Sequence, residues 1–303
     1  MDTLTFTTSQ QLKFYSIDQQ KLFFLGNYPG NSFQLYWSPQ QLIAGWLCAA
    51  LMMFLFLQKQ LRHIVFIYAL LFLWAPLVMV ALLPFVVVAV VVTVVFSKNQ
   101  RELFSFENIA GAGSLTAVFV IFYLAGSTDA NPSYWLFEAV DWRNKWDLLA
   151  VFYLAAWGVY ALALIPFILK CESRSKIWFG ALVFALAVFP LRIFGEWSDL
   201  LCRGSAPLMF ILLIYSLRAV HHYWHARQKM RTVMLLCLFI AGSASALLIN
   251  SVSLLYYGQT EPVKTLLSYN SIYPNFGPDD SLFNQLFRRT LPEPVIHPSE
   301  QHE

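Results

Sequence analysis

The sequence predicts an all-α fold: a polytopic transmembrane helix bundle of about 7–8 membrane segments with a proline-broken hairpin. Three observations predict it. Ile64–Ser97 carries no charge across 34 positions. That is too long for one membrane helix and slightly short for two, because a span takes ~20 apolar residues. The chain is 58% hydrophobic and 12% charged, with mean hydropathy +0.56, whereas soluble domains carry about 25% charged residues. Finally, Lys and Arg gather in alternate short links between the apolar blocks, as they do on the cytoplasmic side of membrane proteins.

Taken in order, residues 1–38 read as a polar and aromatic extracytoplasmic lead-in without the basic start of a signal peptide. The transmembrane helical domain is expected over 39–257, with its first span at Gln40–Leu57. After the basic link Gln58–His63 come the two hairpin arms, Ile64–Ala75 and Val78–Phe96. Pro76 and Pro84 should break the helix, since proline lacks a donor N–H and clashes with the preceding turn. Broken backbone is tolerated at membrane depth where protein or a wet cavity covers it. Further spans are expected at Ile109–Ala125, Trp146–Leu169, Ile177–Phe194, Ala206–Val220 and Thr232–Tyr256. The tail 258–303 is polar and extracytoplasmic. Within it, Asp279 and Asp280 lead into a short amphipathic helix carrying Leu282, Phe283, Leu286 and Phe287, ended by Arg288 and Arg289.

The basic links fix the orientation. Lys59/Arg62, Lys98/Arg101, Lys170/Arg174/Lys176 and Arg218/Arg227/Lys229/Arg231 share the cytoplasmic side only if Ile64–Ser97 crosses twice or returns. Both termini then lie outside the cytoplasm, together with the loops Ser127–Lys145 and Gly195–Ser205. Trp37, Trp46, Trp135, Trp142, Trp146, Trp178, Trp197 and Trp224 fall near span ends and read as an aromatic belt. The stretches Ala110–Ser114 and Gly242–Ala246 are small enough for close helix packing.

Several function classes drop out. A net charge of +3 gives no footprint for nucleic acid. Cys48, Cys171, Cys202 and Cys237 are isolated and read as small buried hydrophobes. No Walker loop, Rossmann glycine pattern or Ser-His-Asp arrangement stands out. His221, His222 and His225 include an i,i+4 pair, but they lie in a basic cluster without a carboxylate. Contact with lipid headgroups suits them better than a metal.

The densest polar stretch is Leu191–Pro207. Glu196, Asp199 and Arg203 would share one face of a helix, and Asp199 and Arg203 form an i,i+4 acid-to-base pair. Arg192 falls just inside the membrane edge, where a charge faces a cavity or a partner. Pro207 is placed to open the next span. Arg203 and Arg192 suit a phosphate or pyrophosphate clamp, with Asp199 or Glu196 as general base. The alternative is a structural ion pair that caps a loop. Glu138, in Trp135–Arg143, is a second acidic candidate whose aromatic neighbours suggest a buried carboxyl; the alternative is a solvated interfacial helix.

Three segments carry a resemblance: Leu35–Trp46, Trp74–Pro84 and Ser198–Pro207. Together they resemble the C-terminal half of uncharacterised bacterial polytopic membrane proteins that look like distant relatives of GT-C class membrane glycosyltransferases. The resemblance spans most of residues 35–290. It implies a bacterial inner-membrane protein of the cell envelope that uses a polyprenyl-phosphate-linked sugar on the extracytoplasmic face. By that likeness Asp199, Arg203, Ser205 and Pro207 match an Asp-…-Arg-x-Ser-x-Pro motif, and Glu138 matches an acidic position in the preceding outer loop. Trp37, Pro39 and Gln40 match a Trp-x-Pro-Gln-His motif, with Gln41 standing where that family has His. GT-C enzymes carry a catalytic acid in a first outer loop after an N-terminal span. Here only Asp18 lies between Asp2 and the first span. The expectation is therefore a glycosyltransferase, or its membrane half with a partner chain supplying the N-terminal half. Arg203 and Arg192 would hold phosphate, while Asp199 or Glu138 would take a proton or bind a divalent metal. The alternative is a non-catalytic membrane subunit of a split enzyme or envelope assembly complex. A transporter fits less well, because only one segment reads as broken.

Overall fold

A computed structural model describes residues 39–96, 100–125, 133–139, 146–194 and 199–255. The expected lead-in, the tail with its amphipathic helix, Glu196, Lys98, Trp37, Trp142 and Trp197 lie outside the described residues.

The bundle starts with α1 (Pro39–Leu57). The ascending arm of the hairpin is two short helices, α2 (Ile64–Ala69) and α3 (Leu71–Trp74), followed by the long α4 (Pro76–Phe96). A 3-10 turn (Gln100–Phe104) and a π-helical turn (Glu107–Gly111) lead into α5 (Ala112–Ala125). Then come β1 (Ser133–Trp135), α6 (Leu136–Ala139), α7 (Trp146–Tyr153), a π-turn (Leu154–Gly158) and α8 (Val159–Ile168). The chain closes with α9 (Ser173–Val188), a 3-10 turn (Phe189–Leu191), β2 (Arg192–Phe194), α10 (Asp199–His225) and α11 (Lys229–Leu255).

Five of these helical stretches are long and apolar enough to cross a membrane: Pro39–Leu57, Pro76–Val95, Leu149–Ile168, Ser173–Leu191 and Leu200–His225. Ile64–Trp74 and Glu107–Ile121 are shorter apolar helices. The protein is thus a helical membrane-embedded chain. Among the described residues the fold departs from purely α at the two-stranded sheet formed by β1 and β2.

The core forms where α1, α4 and α10 meet. A Cβ on Gly45 would lie 2.9 Å from Val78 Cγ1 and 3.7 Å from Pro207 Cδ. A Cβ on Gly204 would lie 2.9 Å from the Leu77 carbonyl oxygen and 3.0 Å from the Phe189 ring. These glycines let three backbones approach where bulkier residues would hold them apart. Further along, Phe56 of α1 and Phe85 of α4 both pack on Trp178 of α9, with ring centroids 4.7 and 4.8 Å away. So α1 and α4 run in the same direction, as a returning hairpin requires.

The bend lies at Ala75, whose backbone is non-helical (φ −152°, ψ 74°). Residues preceding proline are pushed out of the helical region, and Pro76 then opens α4 at a position whose N–H needs no partner. The Trp74 indole N–H pins the bend by donating to the Gln40 carbonyl at 3.1 Å. Pro84, by contrast, does not break the helix: α4 continues through it. In lipid a helix tolerates a proline because neighbouring helices hold it in place, whereas an open break would strand several polar groups.

Two ends can be distinguished. At one, Arg62 Nη2 donates to Glu107 Oε1 at 2.9 Å, and Ser105 Oγ donates to the Arg62 carbonyl at 2.7 Å. The links after α1 and after α4 therefore share an end. Arg174 Nη1 donates to the Phe56 carbonyl at 2.7 Å and joins the start of α9 to the end of α1. Phe167 of α8 meets Tyr223 near the end of α10. This is the basic end. The other, the sheet end, carries the Ala75 bend, β1 and β2.

A polar knot locks the basic end of α2. The buried Asn108 accepts the Phe66 N–H through Oδ1 at 3.0 Å and donates from Nδ2 to the Leu103 carbonyl at 3.2 Å. Phe66 is the third residue of α2, where an N–H has no partner within the helix. A side chain from another segment thus caps α2. The Glu107 carboxyl beside it is held below the usual carboxylate range, first by a backbone hydrogen bond and then by Arg62.

Other expectations need correction. Trp178 is not part of an interfacial belt: it is fully buried in the aromatic stack, because α9 turns it onto Phe56 and Phe85. The span expected to reach Phe194 stops its α-helix at Val188, where a 3-10 turn containing Pro190 hands over to β2. Pro207 does not open a span. It lies inside α10, which starts at Asp199 and runs 27 residues.

Asn108→Ala leaves the Phe66 N–H without an acceptor and is expected to cost about 1–3 kcal/mol. Gly204→Val forces a branched side chain against the Leu77 carbonyl and should cost a similar ~1–3 kcal/mol by overpacking. Thermal unfolding in detergent measures both, and unchanged midpoints would refute the tight three-helix contact and the cap in trans.

Candidate functional site at the sheet end

Two loops far apart in sequence are joined by the sheet. β1 and β2 pair antiparallel with Ser133 opposite Phe194, Tyr134 opposite Ile193 and Trp135 opposite Arg192. Strands of three residues are marginal alone. Here Ile193 and Leu136 bury their side chains beneath the ribbon, while β2 is held between the turn ending α9 and the start of α10.

Directly opposed residues in an antiparallel pair project to the same face. The Arg192 guanidinium accordingly lies over the Trp135 ring, 4.9 Å from its centroid. Such a contact is worth ~0.5–1 kcal/mol where exposed. It holds Arg192 half-buried at the end of the bundle rather than extended into solvent.

Glu138 sits one turn further on. Its Oε2 accepts the Trp135 N–H at 2.8 Å. Trp135 immediately precedes α6 and Glu138 is the third helical residue, so this is the Glu half of a capping box. Glu138 is exposed, which differs from the burial expected from its aromatic neighbours. Phe137 turns instead toward Trp146, with centroids 6.3 Å apart.

Asp199 and Arg203 lie in the first turns of α10, one turn apart. Arg203 is half-buried. Its neighbour in the Arg-x-Ser spacing points elsewhere: Ser205 is two residues on, about 200° around the helix, and fully buried. Pro207, one turn after Arg203, is the residue that meets Gly45 of α1. The Trp46 and Phe210 rings stack at 5.1 Å beside it, and α1 and α10 run in the same direction, both from the sheet end to the basic end. Gln41 and Arg203 therefore occupy the same level, each one turn toward the sheet end from the Gly45–Pro207 contact. Gln41 Oε1 and Trp46 Nε1 are enclosed without a hydrogen-bond partner among the described residues.

The structure thus brings Glu138 and Arg192 together around Trp135. It places Arg203 on α10, which packs against β2, and places Gln41 level with Arg203. Glu196 lies outside the described residues, and of Asp199 only the backbone is described. The strand pairing escaped the sequence reading, because three residues carry no usable alternation and their partner is some 60 positions away. Among the described residues no three His, Cys, Asp or Glu side chains come together as a metal site. No family model, curated protein or solved structure matches the chain.

The register can be checked by cross-linking in a background lacking the four native cysteines. Ser133→Cys with Phe194→Cys should form a disulfide readily, since opposed Cβ atoms lie ~5 Å apart. Ser133→Cys with Arg192→Cys, two positions out of step, should not. Equal yields from both pairs would dissolve the proposed ribbon.

Proposed function

We propose that the chain is an integral membrane protein with eight helical segments, the arm Ile64–Trp74 included, whose sheet end faces the extracytoplasmic side of a bacterial inner membrane. There it acts on a phosphate-bearing lipid as a GT-C-like glycosyltransferase, or as its membrane half, using a polyprenyl-phosphate-linked sugar. The observation that supports this best is the pairing of β1 with β2. It fixes the Arg192 cation on Trp135 at the end of the bundle where α10 begins and presents Arg203. Arginine forks suit phosphate because they donate two parallel hydrogen bonds. In this reading the acceptor oxygen attacks the anomeric carbon and its proton passes to Asp199, Glu196 or Glu138. The glycosidic bond to phosphate breaks, and the polyprenyl phosphate leaves toward Arg203 and Arg192.

A second reading, a non-catalytic membrane subunit, is favoured by one specific observation. The Glu138 carboxylate caps α6, which is an architectural task. Such a subunit would complete a split enzyme or envelope assembly complex together with a partner chain carrying an N-terminal half.

Arg203→Ala and Arg192→Ala should each lower glycosyl transfer roughly a hundredfold, the typical loss when one transition-state donor is removed. The protein should still reach the membrane. Lipid-linked sugar consumption by the purified full chain, compared with its amount in the membrane fraction, reads both. Full transfer in both variants would sink the phosphate clamp. Under the second reading, purification in mild detergent recovers a stoichiometric partner, and a solitary chain counts against it.

A further inference from the structure

At the basic end, the elbow between α10 and α11 carries a cluster of cations with no acid partner among the described residues. We propose that this elbow binds the phosphate of an anionic phospholipid from the surrounding leaflet.

The argument begins with the sequence of the two helices. From Leu200 to Thr260 there is no Asp or Glu, while Arg218, Arg227, Lys229 and Arg231 fall within the last turns of α10, the elbow and the first turn of α11. His221 and His225 stand among them. All six side chains are exposed. The acids whose side chains are described at this end are on other elements: Glu107 is paired with Arg62, and Glu172 is flanked by Lys170 and Arg174. Among the described residues, no acid side chain pairs with the elbow's cations.

The conformation of the elbow gathers these cations rather than spreading them. Arg227 adopts a left-handed backbone (φ 54°). The N–H of Arg227 bonds back to the Trp224 carbonyl, and that of Gln228 to the Tyr223 carbonyl. This closes α10 and sends α11 back alongside it. Arg231, one turn into α11, is then held over the Tyr223 ring at 5.5 Å while its Nη1 donates to Gln228 Oε1 at 3.0 Å. Two apolar groups complete the surface: Trp224 is 69% exposed and Met230 88% exposed, one on each side of the turn. An exposed indole beside exposed cations is the arrangement of an interfacial anchor, with the ring at headgroup depth and the cations on phosphate.

A metal at the histidines fits less well. The His221 and His225 rings meet edge to face with centroids 4.3 Å apart. No third ligand joins them among the described residues, and the surrounding cations repel a divalent ion. The same field attracts an anion. This inference is independent of the reading of the sheet end.

The test is lipid retention by the purified full chain in native mass spectrometry, titrated with phosphatidylglycerol or phosphatidylcholine. Arg227→Asn combined with Lys229→Gln removes two cations, and asparagine tolerates the left-handed turn. At about one kcal/mol per basic residue, phosphatidylglycerol retention should fall roughly thirtyfold. Phosphatidylcholine should be retained weakly by both forms, and millimolar inorganic phosphate should leave the bound lipid in place. Raising NaCl on the native chain should release it, a reading that needs no variant. Unchanged retention in the double variant, equal retention of phosphatidylcholine, indifference to salt, displacement by free phosphate, or dependence on added zinc would each overturn the proposal.

Discussion

Everything in this fold hangs on the approach of α1, α4 and α10 at Gly45 and Gly204. Between lipid-immersed helices there is little hydrophobic drive to associate, so contact has to be gained by close packing. At these two positions the backbone of one helix lies against side chains and a carbonyl of the next. Because α4 is held there from its first turn, the polypeptide must climb from the end of α1 to Pro76 through the short α2 and α3. That explains why an ascending arm of eleven residues, about 16 Å of helix, suffices. The polar knot around Asn108 follows, since an arm beginning inside the bundle needs a cap from another segment. Gly242 repeats the device in α11: a Cβ there would overlap the Tyr160 hydroxyl, which donates to the Leu238 carbonyl.

The bundle's two ends solve different problems. At the basic end the helix termini are closed by side chains and tight turns. Arg174 covers the Phe56 carbonyl near the end of α1, and the left-handed Lys59 (φ 63°) and Arg227 (φ 54°) reverse the chain. Charge there is abundant and mostly of one sign. At the sheet end, the described charged groups are placed individually. Arg192 is held by a ring, Glu138 by a backbone N–H, and Arg203 by its position on α10. A field of many exposed cations attracts headgroups in general, whereas groups fixed one by one can discriminate among ligands. That contrast is the physical reason to look for a lipid surface at one end and a specific site at the other.

Much of this was legible in the sequence. The charge-free run Ile64–Ser97 with basic links on both sides required a return, and the Arg62–Glu107 pair shows the two links meeting. Trp146–Leu169 was nearly right at both ends because its pattern is long and its flanks are polar. Prolines were the main source of error. Pro76, Pro84 and Pro207 look alike in an apolar run, yet only Pro76 stands at a break. What separates them is tertiary: Pro207 packs against the bare backbone of Gly45, a contact that no local pattern encodes. The start of α10 was missed for the same reason, although the Asp199–Arg203 spacing pointed to a helix there. Trp178 looked interfacial by position, and only the packing of α9 reveals it as core.

The candidate site turns on a competition at Glu138. A carboxylate that accepts a backbone N–H at a helix start is fixed in place, a useful property for an electrostatic partner. To take a proton from an acceptor hydroxyl, however, it would have to give up that hydrogen bond or use its second oxygen. A capping carboxylate offers that second oxygen, Oε1, without disturbing α6. Arg192 is under no such conflict, because the face of Trp135 engages its guanidinium plane and leaves the N–H groups at its rim able to donate. Of the two residues that the ribbon brings together, the arginine is therefore the better prepared to meet a ligand. The glutamate's first duty is to hold the ring that positions it.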